Sequence, residues 1–347
     1  MGVTLKDIAE KAGVSISTVS RVINNDQSRP VSEHTSEIVW NYVDQLGYNK
    51  HKKNNQQNST TTKSIGFILN DTPKIYNHPF FSVMLEGLED EARKQGYSIA
   101  FSYTQADLEV PAIEHKLVSQ EEADGVIIIA EYIEEKFFNE LKDSFENIVI
   151  FDNRNPDIHD YDAINVQRRE AAAEIVEYLV ELGHQEIAFI GAALIGSNHD
   201  TVVHEDRYLG FADVMKRHGL PIREKYVKKA DWEMGLGYEK MKEILELDEL
   251  PTAVFVASDY MSIGAMRAIH EAGLEIPADI SIVSYDNIKM APFTNPPLTT
   301  VHVPKEEIGR QLVKTLIDRI NGDIHMPLQI IAPTELKIRK SAAPPRQ

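Results

Sequence analysis

TLKDIAEKAGVSISTVSRVIN, residues 4–24, sets how the rest of the chain is read. Thr4 stands where an N-cap belongs, with Asp7 three residues on in the first turn, so a short helix runs through Leu5, Lys6, Asp7, Ile8 and Ala9. Gly13 ends it. Ser15 caps a second helix whose apolar positions, Ile16, Val19, Val22 and Ile23, fall at helical spacing. Ala9, Val14, Val19 and Val22 can close a miniature core, which leaves Ser17, Thr18, Ser20, Arg21 and Asn25 on the opposite side. Those side chains suit nucleic acid, because arginine makes paired bonds to guanine and hydroxyls bond to base edges or phosphates. The same spacing also describes a plain amphipathic helical pair with a solvated face. A third helix runs through Ile38, Val39, Tyr42, Val43 and Leu46 and stops at Gly47.

Charge separates this head from the rest of the chain. Residues 1–63 carry eight Lys and Arg against six Asp and Glu, in a chain whose formal net charge is −18. A slightly cationic head on a strongly anionic body confines contact with a polyanion to the head. Residues 49–63, NKHKKNNQQNSTTTK, hold no apolar side chain that could build a core and read as a linker. The chain of 347 residues exceeds one compact core, and its lack of cysteine excludes disulfides, thiolate metal sites and cysteine nucleophiles. There is no apolar leader at the N-terminus and no apolar run near the ~20 residues needed to span a bilayer, so a soluble cytoplasmic protein without a membrane partner is expected.

From Ser64 the texture changes. SIGFILN, SIAFSYT, DGVIIIA and NIVIFDN, then EIAFIGA, TAVFVAS and ISIVSYDN, read as buried strands alternating with amphipathic helices. The expected fold class is therefore α/β: a helix-turn-helix head at 1–48, a linker at 49–63, two doubly wound parallel-sheet lobes over 64–340, and a frayed tail at 341–347. In such lobes ligands lie beyond the carboxyl ends of the strands. Asp152 follows NIVIF, Ser258 and Asp259 follow TAVFVA, and Asp286 follows ISIVSY. Arg207 opens the helix RYLGFADVMKRHG, Trp232 sits in ADWEMG, and Phe80 and Phe81 fall between the first strand and its helix. Each has an ordinary explanation as a cap or core residue; together they offer hydroxyl-pairing groups and an aromatic face, as a sugar requires.

Two further patterns carry nothing. His199, Asp200, His204 and Glu205 could suit zinc, yet a polar loop collects such residues without fixing a ligand geometry, and no metal or cofactor is expected. GLG at 235–237 lies in a helical stretch and lacks the third glycine of a dinucleotide fingerprint.

Residues 4–24 strongly resemble the headpiece of the lac repressor family. The resemblance extends through KSIGF from Lys63, ADISIVSYDN from Ala278, PLTTV from Pro297 and PTEL from Pro333. It implies a periplasmic-binding-protein-like body and a repressor of a sugar-utilisation operon, active as a homodimer on double-stranded operator DNA and released by a small sugar. The alternative is a catabolite-control regulator answering to a phosphocarrier protein. Carried over, Ile16 and Ser17 choose the operator, Thr4, Ser15, Thr18, Ser20 and Arg21 support base and phosphate contacts, and Asn24 touches backbone. Arg207, Trp232, Ser258 and Asp286 match positions lining the inducer pocket, with Asp152 from the first lobe; Asp206 joins Arg207, as in galactose-type regulators. The linker departs from the pattern. Gln57 stands where the family wedges a leucine into the minor groove, so Lys50 and its neighbours would hold the DNA electrostatically. A solute receptor would lack the basic head, and an enzyme would need a nucleophile, metal or cofactor motif that is not seen.

Overall fold

The computed structural model describes residues 3–23, 31–46, 61–69, 76, 78–108, 113, 117, 123–155, 158, 160–192 and 205–346. Three helices make the head: α1 (Leu5–Ala12), α2 (Ile16–Ile23) and α3 (Glu33–Leu46). Thr4 and Asp7 form a reciprocal capping box. The Thr4 hydroxyl accepts the Asp7 N–H at 3.4 Å, and the Thr4 N–H donates to Asp7 Oδ2 at 2.7 Å. Gly13 ends α1 at φ 67°, the left-handed conformation that glycine adopts without steric cost. Ser15 Oγ accepts the Thr18 N–H at 3.1 Å, as its position predicts. Ile8, Ala9, Val19, Val22, Val39, Trp40 and Val43 fill the core between the helices. Ile16 does not join them and is 48% exposed.

The body begins with β1 (Ser64–Leu69), α4 (Pro79–Lys94), β2 (Ser98–Thr104), α5 (Gln105–Leu108), β3 (Val126–Ile129), α6 (Glu135–Ser144), β4 (Ile148–Phe151), β5 (Asp162–Val166) and α7 (Arg168–Glu181). It continues with β6 (Ile187–Gly191), α8 (Asp206–Arg217), β7 (Val227–Lys229), α9 (Met234–Leu245), β8 (Ala253–Val256), α10 (Asp259–Glu271), β9 (Ser281–Asp286), β10 (Thr299–His302), α11 (Lys305–Ile320), β11 (Gln329–Ala332) and β12 (Glu335–Lys337).

Two six-stranded sheets result, in the orders β11-β5-β4-β3-β1-β2 and β12-β10-β9-β8-β6-β7. All pairs are parallel except β10 with β12. The central strands are buried along their whole length, which is why they read as unbroken apolar runs. The chain crosses between lobes three times. It passes from β5 into α7, which packs on β9, β10 and β12; from β10 into α11, which packs on α4, β3 and β4; and from β11 to β12.

GLG at 235–237 lies within α9, and packing explains its second glycine. A Cβ on Gly237 would come within 2.3 Å of the Met261 carbonyl, so the glycine lets α9 lie directly against α10. The segment expected to fray is instead tied down. Ser341 is buried, its Oγ donates to the Ile282 carbonyl at 2.6 Å and accepts the Thr299 N–H at 2.8 Å, and the Ala343 carbonyl meets His184 Nε2 at 2.9 Å. Two apolar alanines and strand backbone in need of partners make docking better than solvation for this segment. No helix among the described residues is long and apolar enough to cross a membrane.

Candidate nucleic-acid face and effector site

The head presents one polar face. Ser15, Ile16 and Ser17 are all exposed at the start of α2, with Thr18, Ser20 and Arg21 half-buried behind them. The hydroxyls are organised: Ser15 Oγ lies 2.8 Å from both Ser17 Oγ and Thr18 Oγ1, and Arg21 Nε donates to the Ser17 carbonyl at 3.1 Å. Ile16 thus projects an apolar side chain from a polar surface, the geometry of a group that meets a thymine methyl. Asn24, Asn25, Lys50 and Gln57 lie outside the described residues, as do His199, Asp200 and His204 of the metal reading. Among the described residues no cluster of metal-ligating side chains forms.

The second concentration of polar groups lies at the carboxyl ends of the strands in both lobes. Asp152 closes β4 with φ 64° and is buried. It is ion-paired to Arg168 and, at 3.1 Å, to Arg154. Arg154 also pairs with Asp206 at the start of α8, joining the two lobes. Arg207 is buried beside it: Nε lies 3.1 Å from Glu205 Oε1, Nη1 donates to the Ala257 carbonyl at 2.9 Å, and Nη2 lies 3.8 Å from Glu131 in the first lobe. Its guanidinium stands 4.4 Å from the ring centre of Trp232 and 5.0 Å from that of Tyr285.

Burial governs the protonation of this cluster. It raises the Asp286 carboxyl to about 7, with Arg207 opposing the shift and Asp259 adding to it. Asp152 is raised for the same reason against the pull of Arg168 and Arg154. His78, the N-cap of α4, is lowered by burial to about 4 and is neutral at ordinary pH. Its Nδ1 accepts the Phe80 N–H at 3.3 Å, so the proton sits on Nε2. His78 Nε2, Trp232 Nε1 and the Tyr285 hydroxyl are buried without a hydrogen-bond partner among the described residues. Buried polar atoms are seldom left so, which makes these three candidates for contact with a ligand.

The strand-end residues divide into two groups. Asp152, Asp206, Arg207, Trp232 and Asp286 come together, and Phe81 contributes to an aromatic wall with His78 at 5.7 Å and Tyr260 beyond it. Asp259 and Ser258 do not present free polar groups as expected. Asp259 receives the Thr300 hydroxyl at 2.7 Å and the Ile288 N–H at 2.8 Å, and Ser258 Oγ accepts the Tyr260 N–H at 3.1 Å as the cap of α10. Phe80 and Phe81 belong to the first turn of α4 and not to the connection before it, and Phe80 is buried against Phe151. Sequence reasoning missed Glu131, Arg154, Arg168, His78 and Tyr285. Glu131 and Arg154 follow strands just as Asp152 does, so the strand-end rule could have found them; Arg168 and His78 open helices and carried no such signal.

Known proteins resemble this chain over nearly its whole length. Residues 4–50 match the profile of bacterial regulatory proteins of the lacI family, and residues 176–342 match a periplasmic binding protein-like domain. An HTH-type transcriptional repressor PurR of Pasteurella multocida (strain Pm70) is 35% identical over 340 residues, covering 97% of this chain and 98% of that protein. The structure of a transcriptional regulator CelR–cellobiose complex superposes with a TM-score of 0.72 at 26% identity, covering 98% of this chain and 100% of that one. The lac repressor dimer bound to operator and the anti-inducer ONPF gives 0.69 at 28% identity, covering 99% and 100%. The chain belongs to the lacI family of bacterial regulatory proteins and is a DNA-binding transcriptional repressor, not an enzyme.

Proposed function

We propose that this repressor senses a small neutral polyhydroxylated molecule, a sugar, at the strand-end cluster, and that binding changes its hold on operator DNA. The observation that carries the reading is the Arg207 guanidinium stacked on Trp232 and flanked by carboxylates. A planar fork beside carboxylates donates and accepts at adjacent hydroxyls, while an indole covers the apolar side of a pyranose ring. Charge narrows the class. Among the described residues Arg154, Arg168 and Arg207 are already paired with Asp152, Asp206, Glu131 and Glu205, which leaves little free positive charge for a phosphorylated or otherwise anionic ligand.

On this reading a homodimer places two heads on a pseudo-palindromic operator, with Ile16 and Ser17 reading base edges and Thr4, Ser15, Thr18, Ser20 and Arg21 holding the register. Asn24, Lys50 and Gln57 complete the DNA contact, with Gln57 giving a hinge that does not wedge. The ligand acts only through different affinities for the DNA-bound and released states.

A flat purine base is the second reading, favoured by the relatives named PurR. Calorimetry with D-galactose, D-ribose, cellobiose, hypoxanthine and guanine, paired with gel shifts on the chain's own promoter, separates the two. Binding of a sugar with altered operator affinity supports the first; binding of a purine alone transfers the site to the second; binding of none, with operator affinity unmoved, overturns both.

A further inference from the structure

Among the described residues of the body, Lys305 is the one buried ammonium, and nothing in the effector reading uses it. It opens α11, immediately after the chain leaves β10 of the second lobe for the first. Its side chain is 5% exposed. An ammonium has three hydrogens to donate, and here all three have main-chain acceptors: the carbonyls of Asp286, of Val303 at 3.1 Å and of Asn287 at 3.2 Å. The carbonyls come from the end of β9, from the turn after it and from the residue that follows β10. Asp286 and Asn287 both have positive φ, 107° and 49°; the second is a value asparagine adopts readily, whereas the first lies outside that well and needs surroundings that hold it there. The same ammonium lies 5.8 Å from the ring centre of Phe80, at the start of α4 in the first lobe.

We infer that Lys305 is a positioning residue for effector recognition: its ammonium pins the Asp286–Asn287 turn to the crossover into the first lobe and so fixes the Asp286 carboxyl at the rim of the site. A neutral side chain of the same length could fill the space, but it could not hold three carbonyls or place a positive charge behind Asp286. Asp286 faces Arg207 from α8, Arg168 from α7, Asp259 from α10 and Lys305 from α11. Removing Lys305 leaves two guanidiniums against one carboxylate around it. Lys305 has its own surroundings in Asp286, Asp259 and the neighbouring His302. This inference rests on the proposed effector site, and the test keeps the two apart.

The experiment uses the full chain and the best-binding probe of the sugar and purine panel, with affinity measured by calorimetry from pH 5.5 to 8.5. Lys305→Met is expected to weaken binding about tenfold or more, as loss of a charge-assisted bond implies. The pH at which binding rises to half its limit should move upward by about half a pH unit or more, because the ammonium no longer favours the ionised carboxyl. Lys305→Arg should restore the midpoint. Lys305→Gln, which retains two donors without the charge, should recover part of the affinity while keeping the raised midpoint. A loss of melting temperature in all three with affinity and midpoint unchanged would show a merely structural lysine and overturn the inference. If no probe binds the wild type, the effector reading is what has failed. Lys305 is then judged from the pH titration of Trp232 emission in a Trp40→Phe background, where an unmoved midpoint in Lys305→Met or Lys305→Gln refutes it.

Discussion

The Arg207 guanidinium lies 4.4 Å from the centre of the Trp232 ring, with Tyr285 5.0 Å away on another strand end. Stacking of this kind holds a planar cation in one orientation, and the Glu205 carboxylate and Ala257 carbonyl fix its roll. The pair therefore behaves as one rigid recognition element supplied by α8 and by the turn after β7.

Arg207→Lys keeps the charge and discards both the plane and the fork. Its expected effect is a loss of about 10–100-fold in effector affinity, the range of one charge-assisted bond with its stacking. Operator affinity without effector should change less than about twofold, since the head is built on a core of its own. Calorimetry and gel shifts on the same preparation check both. Equal losses in the two would mean a folding defect and not a recognition role.

Asp286 supplies a pH dependence whose sign follows from its shift. The carboxyl is raised from 3.8 to about 7, so the folded chain holds its proton over a window in which the unfolded chain has lost it. Its contribution to stability is fullest below the unfolded value, falls as pH rises between the two, and is constant above about 7. Asp286→Asn, which mimics the protonated form, should gain melting temperature relative to wild type on going from pH 5 to pH 8, by about 2–4 °C for each kcal/mol recovered. Scanning calorimetry at both values tests it, and a difference that is constant with pH would refute the shift. Effector binding should move the other way in wild type, strengthening through neutrality as the carboxylate becomes a full acceptor.

Much of the body was legible because burial wrote it into composition. All seven apolar runs, from SIGFIL to ISIVSY, form strands, and all but the edge strand β2 are enclosed on both faces. The strands without such a run, β5, β7, β10, β11 and β12, are short and most carry polar residues, as in VKK and ELK. Three of them, β7, β11 and β12, are edge strands, where water is close and no apolar run is needed; β5 and β10 are mostly buried, but with hydrogen-bonded polar side chains such as Asp162, Thr299 and Thr300 that break the apolar run. The site was half legible. Sequence position finds a carboxylate at a strand end, but not the direction it faces: Asp152 turns to Arg168, whereas Asp259 turns back to Thr300 and Ile288. Partners such as Glu131 and Arg207 are brought together only by the packing of two lobes, and local spacing holds no record of that.

In the head, Ile16 and Val19 are three residues apart on one helix and lie on opposite sides of the question of function. Ile16 is 48% exposed and Val19 is fully buried. Ile16→Ser should leave the melting temperature of the full chain unchanged while relaxing discrimination at one operator base pair by about 1–3 kcal/mol. Val19→Ala should instead weaken binding to all duplexes alike by loosening the head, at a cost of about 1–3 kcal/mol in its stability. Selection from a randomised operator library distinguishes them. A uniform loss for Ile16→Ser would remove that residue from base reading.

The end of the chain offers a test free of any ligand. Ser341 Oγ sits between two main-chain groups of the second sheet, accepting from Thr299 N–H at 2.8 Å and donating to the Ile282 carbonyl at 2.6 Å, while its own carbonyl accepts the Ile282 N–H at 2.8 Å. Ser341→Ala removes one small hydroxyl but leaves a buried donor and a buried acceptor without partners, a loss of about 1–3 kcal/mol each when water cannot enter. Ser341→Cys keeps the volume with weaker bonds and should fall between. These bonds join the segment after β12 to β9 and the start of β10, the same two strands whose far ends pair Asp286 with His302, so their loss also loosens the floor beneath Asp286. Denaturant unfolding of the three forms should therefore rank wild type above Ser341→Cys above Ser341→Ala. A tail that merely frays would give three coincident curves.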